Sequence, residues 1–410
     1  MYRVTNFPVA VAQSTLPRLA LIGISGYGAI YVGLLREALL AKSVSLVAAV
    51  VINPGQEQEI VAELRAGGTV IYGSADELFA CEAGKIDLCL IPTGIQWHAR
   101  MTIAALTAGM NVLVEKPLAG SVADCAAIRR AEVATGCWVA VGFQDIYADE
   151  ARRLKSQLLE GAIGRLREVK MTGLWPRSRS YFTRNHWAGR RAADGASVLD
   201  SPLNNAFAHF VNLGLFFAGS TAGTSASVAV ESAELFRAHA IETFDTAVVR
   251  GVSSHGVRFW CGFSHATETT REPEILLYGD EGCVEWRHET SCVTTHADGR
   301  RETVALPTAA SCRGSMFAAV LARLADAGSS ICDTDVACRH AEFIEAVQNE
   351  AVTRPFPETL VSWSADAAEH GEFPNVRGLD VAIDRAFSRG GLLGSPDVFC
   401  NQSLHAATGR

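Results

Sequence analysis

The first third of the chain alternates short apolar runs with stretches of helical spacing. The apolar runs are residues 18–22, 44–52, 69–72, 86–91, 111–115 and 137–143, and the helical stretches are residues 30–41, 57–65, 75–81, 96–108 and 121–135. Runs that stay apolar throughout are typical of strands buried on both faces. Strands that alternate with helices through short connections predict a parallel, doubly wound sheet over residues 18–145.

A glycine-rich turn with the sequence Gly23-Ile-Ser-Gly-Tyr-Gly28 joins the first strand to the first helix. Ser25 occupies the position of the middle glycine in the pattern G-x-G-x-x-G. Backbone amides in such a turn, together with the positive end of the helix, can hold a pyrophosphate, although a tight strand–helix turn alone would also need glycine. Because the turn follows the first strand, we expect a dinucleotide to be bound by Gly23, Ser25, Gly26, Tyr27 and Gly28.

The second strand ends at Asn53, where an NAD site usually has a carboxylate that accepts hydrogen bonds from the ribose hydroxyls. Asparagine can still form a hydrogen bond there, but it does not repel the 2′-phosphate of NADP. The sequence therefore leaves the choice between NAD and NADP open.

The strand at 111–115 runs directly into Glu115-Lys116-Pro117. A charged pair at this position lies at the carboxyl edge of the predicted sheet, which is where open α/β sheets bind ligands. Lys116 is therefore the first candidate for chemistry, with a solvated lysine at a strand end as the alternative.

The second half of the chain has a different pattern. A helix at 148–160 leads through Gly161-Ala-Ile-Gly164 into a strand at 165–174, and a polar, aromatic loop follows at 175–191. Tyrosine, tryptophan and arginine side chains in such a loop can bind sugars or carboxylates, so we interpret Tyr181, Trp187 and Arg190 as candidate substrate ligands. A surface excursion or an oligomer contact is the alternative.

An apolar stretch at 197–218 is predicted to be a helix, and it carries the polar residues Asp200, Asn204, Asn205, His209 and Asn212. Asn205 and His209 would share one face of that helix because they are four residues apart. Strands without intervening helices follow, at 244–250, 257–263, 274–277, 283–287, 292–296 and 301–306. They predict a second, α+β domain over 146–375 with a large, open, mostly antiparallel sheet.

Residues 1–17 are predicted to be a short leader, and residues 376–410 a C-terminal helix and tail. The net charge of −8 and the lack of a basic tract argue against nucleic-acid binding. The chain lacks an apolar run of the roughly 18 residues that cross a bilayer. Its eleven cysteines include no Cys-x-x-Cys, which favours a reducing cytoplasm and gives no indication of a metal site.

Taken in order, these motifs resemble the Gfo/Idh/MocA family of oxidoreductases over residues 18–350. The resemblance rests on Gly23–Gly28, Pro92-Thr93 with His98, Glu115–Pro117, and Gly161–Gly164 before a strand. It implies a Rossmann domain followed by a domain whose open sheet forms a homodimer or homotetramer interface. It also places Pro92, Thr93, His98, Glu115, Lys116 and Pro117 at the cofactor.

The family's Asp-x-x-x-His motif is imperfect in this chain. His209 has the family's spacing to Gly219, but Asn205 stands four residues before it, while Asp200 is followed at that distance by Asn204. We favour His209 as the residue that exchanges a proton with the substrate, with Asp200 able to reach the site. An asparagine stabilises an imidazolium less than a carboxylate does, which leaves more of the proton transfer to Lys116.

The resemblance implies an NAD(P)-dependent oxidoreductase that transfers a hydride between nicotinamide and a secondary carbinol of a sugar, sugar acid or cyclitol. In that reading Tyr181, Trp187, Arg190 and Asn204 contact a carbohydrate-like substrate. Two alternatives remain open. One is glycoside cleavage with a recycled NAD, and the other is a cofactor-binding regulatory protein with a decayed site, because Ser25, Asn53 and Asn205 all depart from the pattern.

Overall fold

The computed structural model describes residues 16–366 and 371–394 and forms two compact units. The first unit comprises residues 16–119, 123–147 and 310–334, and the second comprises residues 120–122, 148–309 and the described residues from 335 onward. The predicted leader, apart from its last two residues, and the terminal residues 395–410 lie outside the described part of the chain.

The first unit contains a parallel sheet of six strands in the order β3-β2-β1-β4-β5-β6. The strands are β1 Arg18–Ile22, β2 Ser45–Val50, β3 Val70–Tyr72, β4 Leu88–Ile91, β5 Asn111–Val114 and β6 Val139–Val141. The helices between them are α1 Gly28–Leu40, α2 Gln58–Ala66, α3 Ala75–Glu82, α4 Ile95–Thr107 and α5 Val122–Thr135. All residues of β4 and β6 are buried, as their continuous apolar runs predict, so the doubly wound Rossmann sheet is confirmed.

A segment from late in the chain completes this unit. Helix α9 Ala309–Ala325 begins it, and Cys332 follows a short loop. The backbone of Cys332 accepts a hydrogen bond from the amide of Val141 at 2.8 Å and donates one to the Tyr147 hydroxyl at 3.0 Å. The short helix at Gln144–Tyr147 that carries this tyrosine directly follows β6.

The second unit contains a mixed sheet of nine strands in the order β16-β15-β14-β13-β7-β12-β11-β10-β17. The strands are β7 Leu166–Leu174, β10 Val228–Arg237, β11 Thr246–Ser253, β12 Arg258–Ser264, β13 Arg271–Gly279, β14 Gly282–Arg287, β15 Ser291–His296, β16 Arg301–Ala305 and β17 Arg354–Pro355. Neighbours pair antiparallel except for β7 with β12 and β10 with β17. The large, mostly antiparallel sheet is therefore confirmed, although its strand β10 was not expected from the sequence.

Short elements and four longer helices complete the second unit. They are α6 Asp149–Leu159, α7 Arg179–Thr183, β8 Ala192–Ala193, β9 Ala196–Ser197, α8 Ala208–Phe217, α10 Thr334–Glu350, the 3-10 turn Glu358–Leu360, β18 Val361–Asp366, β19 Gly371–Val376 and α11 Leu379–Arg389. Helix α8 packs on β7, because a side chain at Gly214 would meet the Met171 sulfur at 2.4 Å. Helix α11 packs in a hydrophobic core of this unit, where Ile383 and Trp260 are buried.

The predicted helix at 197–218 is wrong over its first half, since α8 begins only at Ala208. Leu199 has a positive φ of 49°, and Pro202 has no amide hydrogen to donate. The Asn204 side chain donates to the carbonyls of Val198 at 2.9 Å and Leu199 at 3.3 Å. Such side-chain bonds to the local backbone compete with helix formation, so residues 198–207 form a turn instead.

Candidate functional site

The glycine turn between β1 and α1 has the conformation that its sequence predicts. Gly23 and Gly26 have φ values of +90° and +58°, which favour glycine. A Cβ atom on Gly28 would lie 2.5 Å from the carbonyl oxygen of Gly23, so this position also requires glycine for close approach of helix and strand. Pro92, at the end of β4, packs 3.8 Å from the same position.

The turn fits the pyrophosphate of a dinucleotide. Ser25, Gly26 and Tyr27 are exposed, and helix α1 begins there without a side-chain cap or an acidic residue in its first turn. An uncapped helix N-terminus with exposed glycines favours an anion. Asn53 is also exposed, just beyond the end of the neighbouring strand β2.

Glu115 follows β5 and is a buried carboxylate, with 4% of its surface exposed. It accepts hydrogen bonds from the Tyr31 hydroxyl at 2.8 Å and from the Lys116 amide at 3.1 Å. A Cβ at Gly142 would lie 2.6 Å from the carboxylate, so glycine leaves it the room that it needs. Burial raises the pKa of Glu115, and the nearby charge of Lys116 opposes this increase.

Lys116 itself is half-buried at the carboxyl edge of the sheet, and its bond to Pro117 is a cis peptide. Tyr31, which binds Glu115, lies on α1 one turn after the glycine turn. The helix that begins at the glycine turn is therefore hydrogen-bonded to Glu115, the residue before Lys116.

His98 has a structural task in this unit. Its side chain has no exposed surface, and its ring nitrogens lie 2.7 Å from the carbonyl oxygen of Pro117 and 3.0 Å from that of Thr93. Burial lowers its pKa, so the ring is neutral at neutral pH. His98 thus connects the segments that follow β4 and β5, and any contribution to cofactor binding passes through Thr93 and Pro117.

Sequence reasoning missed Arg313, which comes from the late segment that completes the first unit. Its guanidinium forms a side-chain hydrogen bond with Tyr27 of the glycine turn and lowers the pKa of Glu115 by its charge. Although part of the Tyr27 side chain is exposed, desolvation of its hydroxyl and the charge of Glu115 raise its pKa. Nothing in the local sequence around Arg313 indicates these contacts, since they depend on how α9 packs.

In the second unit, Asp200 and Asn205 are in direct contact. Asp200 is 1% exposed, and its carboxylate accepts from the Asn205 side chain at 2.9 Å and from the Gly189 amide at 2.6 Å. Asn205 also lies 3.4 Å from the Tyr181 hydroxyl. The turn at 198–207 therefore joins Asp200 to Asn205 rather than to Asn204, and Asn205 does not share a helix face with His209.

The other predicted residues of this unit are placed separately. His209 is half-buried in the first turn of α8, and Asn204 is buried and bonds to the turn. Arg190 forms an ion pair with Glu242 at 3.3 Å and lines a cavity of about 790 Å³. Trp187 is half-buried, with the guanidinium of Arg184 5.4 Å from its ring centroid.

The fold and the glycine turn define a Rossmann nucleotide-binding domain followed by a unit built on an open sheet. The family model described as "Oxidoreductase family, NAD-binding Rossmann fold" matches residues 18–143, and the Gfo/Idh/MocA C-terminal domain model matches residues 151–285. Together these two models match more than half of the chain. The chain belongs to the Gfo/Idh/MocA oxidoreductase family.

Curated relatives resemble part of this chain. A 1-carboxy-3-chloro-3,4-dihydroxycyclohexa-1,5-diene dehydrogenase from Comamonas testosteroni is 30% identical over 148 residues, which is 36% of each chain. An inositol 2-dehydrogenase from Azotobacter vinelandii is 37% identical over 145 residues, which is 35% of this chain and 42% of the relative. The matched stretches thus span well under half of these relatives.

A solved structure supports the fold over a larger part of the chain. The WlbA dehydrogenase from Bordetella pertussis, in complex with NADH and UDP-GlcNAcA, superimposes with a TM-score of 0.66. The alignment covers 82% of this chain and 97% of that protein, at 22% identity. In the described part of the chain, no helix combines the length and apolarity needed to cross a membrane.

Proposed function

We propose that this protein is an NAD(P)-dependent dehydrogenase that acts on a secondary carbinol of a sugar, sugar acid or cyclitol. The observation that carries this proposal is the buried Glu115, because its hydrogen bond to Tyr31 ties Lys116 to the helix that starts at the glycine turn. A dinucleotide held at that turn and a lysine at the same sheet edge are the two parts that such an enzyme needs.

The proposal assigns a role to each candidate residue of the glycine turn, to Asn53 and to Lys116. The amides of Ser25, Gly26 and Tyr27 hold the pyrophosphate, and Asn53 binds the adenosine ribose. When bound, the nicotinamide supplies the hydride acceptor or donor. Lys116 takes the hydroxyl proton of the substrate during oxidation and returns it during reduction, which is general acid–base catalysis.

In the second unit, the proposed substrate contacts are Tyr181, Trp187, Arg190 and Asn204. His209, Asp200 and Asn205 are the proposed catalytic side chains of this unit. The names of the relatives support a cyclic, hydroxylated substrate, since one is an inositol 2-dehydrogenase and another acts on a carboxylated dihydroxycyclohexadiene. We assign His209 a share of the proton transfer. We assign the larger share to Lys116, because Asn205 stands where the family's pattern has an aspartate and is bonded to Asp200.

The proposal extends to assembly and location. We propose a homodimer or homotetramer that forms through the nine-stranded sheet, and a cytoplasmic location. The cysteines of the described residues are all free thiols, which a reducing compartment would maintain.

A thermal-shift titration with NAD, NADH, NADP and NADPH tests cofactor binding, because a ligand of the folded state raises its melting temperature. Turnover on a panel of sugars, sugar acids and cyclitols, followed at the absorbance band of the reduced nicotinamide, tests the reaction. A cofactor that co-purifies and is not consumed while a glycoside is cleaved would indicate the recycled-NAD reaction instead. Cofactor binding without turnover on the whole panel would indicate a regulatory protein.

A further inference from the structure

Two arginines in the loop after β7 flank the ring of Tyr181. The Arg184 guanidinium lies 3.7 Å from the ring centroid, and the Arg177 guanidinium lies 5.0 Å from it. Arg177 is also 5.6 Å from the ring of Trp175. Stacking on aromatic rings orients a guanidinium and leaves its edge able to donate hydrogen bonds. One nitrogen of Arg184 donates to the Tyr181 carbonyl, and its other N–H groups can still donate to a ligand.

These two positive charges have no carboxylate partner among the described residues. Within the described residues, neither Arg177 nor Arg184 forms an ion pair, whereas the nearby Arg179 pairs with Glu372 at 3.0 Å. The Nε atom of Arg177 is buried and has no hydrogen-bond partner in the described part of the chain. A buried donor without a partner is unfavourable unless a ligand supplies the missing acceptor.

Two carboxylates near the cluster have other partners. Asp200 is bonded to Asn205 and to the Gly189 amide, and Glu272 accepts from the Trp175 indole at 3.2 Å. His265 adds no charge at neutral pH, because burial first and then the charge of Arg177 hold its pKa well below the usual value. Neither guanidinium group is paired with a carboxylate of the described residues, so a carboxylate of a ligand can pair with them.

We propose that Arg177 and Arg184 form a subsite for a carboxylate of the substrate, so that the enzyme acts on an acidic sugar or cyclitol rather than a neutral one. The planar fork of arginine matches a carboxylate. A phosphate dianion fits less well, because the fixed charge of Asp200 would repel its second negative charge. This inference rests on the proposed dehydrogenase activity and narrows its substrate class.

The test uses the full chain and matched pairs of compounds: D-glucuronate with D-glucose, D-galacturonate with D-galactose, and glucose 6-phosphate as the phosphate arm. Both turnover and the thermal shift of the NADH- or NADPH-bound protein are measured. The variants are Arg177→Met, Arg184→Met and the charge-conserving Arg184→Lys. Arg258→Met is the control, because Arg258 is an exposed arginine of the same unit that pairs with Glu168.

We expect the acid of each pair to have a kcat/KM about 10- to 100-fold above that of its neutral partner, which is the value of one or two charge-assisted hydrogen bonds. Arg177→Met and Arg184→Met should remove this preference mainly through KM, while Arg184→Lys keeps part of it and Arg258→Met keeps all of it. Equal turnover of acid and neutral sugar by the wild type would overturn the subsite, as would a preference for the phosphate.

Binding separates failure of the subsite from failure of the dehydrogenase proposal. If neither these compounds nor the panel of sugars, sugar acids and cyclitols is turned over, the proposed function fails, and the thermal shift then decides the subsite. A stabilisation by the uronates that disappears in Arg177→Met supports it, and the absence of any stabilisation by the uronates overturns it.

Discussion

Glu115 is a buried carboxylate directly before Lys116 at the end of β5. A buried carboxylate needs donors, and it finds them in Tyr31 and in the amide of Lys116. The sequence predicted this pair because an apolar strand that ends in Glu-Lys-Pro is an uncommon pattern. It could not predict Arg313, whose contact with the same site depends on packing of a helix almost 200 residues later.

At the same scale, the proposed contact of Asn53 with the adenosine ribose gives a test of the choice between the two nicotinamide cofactors. We predict that Asn53→Asp raises the Kd for NADPH about tenfold, because a carboxylate near the protein surface repels the 2′-phosphate. The Kd for NADH should change by less than about threefold. Fluorescence titrations with both reduced cofactors measure this.

Gln56→Glu is the control for Asn53→Asp, since it adds the same charge to an exposed position of the same loop. An equal loss of NADPH affinity in both variants would show that loop charge in general, and not the position of Asn53, determines the preference.

Among the elements, α1 and α8 show where a sequence pattern is sufficient and where it is not. The start of α1 follows from its glycines, whose special conformations are a local property. The start of α8 does not follow from its apolar pattern, because Asn204 bonds to the backbone of Val198 and Leu199 and holds a turn. The contact between Asp200 and Asn205 is a consequence of that turn, and a prediction of helix at these residues could not show it.

The turn at the start of α1 gives a prediction for stability. Gly28→Ala would place a Cβ 2.5 Å from the Gly23 carbonyl oxygen. Because this oxygen belongs to the backbone, the contact can be relieved only by distorting the strand or the helix. We expect a loss of about 1–3 kcal/mol in the free energy of unfolding and weaker binding of NADH and NADPH. Gly33→Ala in the same helix meets nothing within 4 Å and should be neutral or stabilising by about 0.5–1 kcal/mol. Urea unfolding that gives the same result for both alanines would contradict the close approach at Gly28.

A buried lysine of α6 binds the carbonyl groups at the C-terminal end of α8. Lys155 is 1% exposed and donates to the carbonyl of Phe216 at 2.6 Å and to that of Gly219. Burial lowers its pKa to about 7. The unfolded chain keeps this proton up to about pH 10.4, so the folded protein gains stability as the pH rises from about 7 towards that value.

Lys155→Met should remove that gain. The free energy of unfolding of the variant, relative to that of the wild type, is then expected to fall with rising pH. Between about pH 7 and pH 10 the fall is up to about 1.4 kcal/mol per pH unit. Urea unfolding at a series of pH values measures this difference. The exposed Lys42→Met serves as control and should differ from the wild type by a constant amount. A Lys155→Met difference that is equally constant would mean that Lys155 stays charged in the folded state.

At the scale of the whole molecule, the order of motifs carried more information than any one of them. A glycine turn, a Glu-Lys-Pro at a strand end and a Gly-x-x-Gly before a strand each occur in many folds, but their order indicated the family, which the domain models confirm. Features that depend on contacts between distant parts of the chain could not be predicted from the sequence. Residues 310–334 join the first unit, and β10 enters the nine-stranded sheet although its sequence mixes polar and apolar residues.

The most direct measurement for the central claim compares Lys116→Met with Lys85→Met, a control at an exposed lysine of the same unit. Reduction of NAD or NADP by the preferred substrate is followed at the absorbance band of the reduced nicotinamide, and cofactor Kd is measured in parallel. Lys116→Met is expected to lower kcat by about 10²–10⁴-fold with an almost unchanged Kd, while Lys85→Met keeps the wild-type rate. Turnover of Lys116→Met at the wild-type rate would contradict the account.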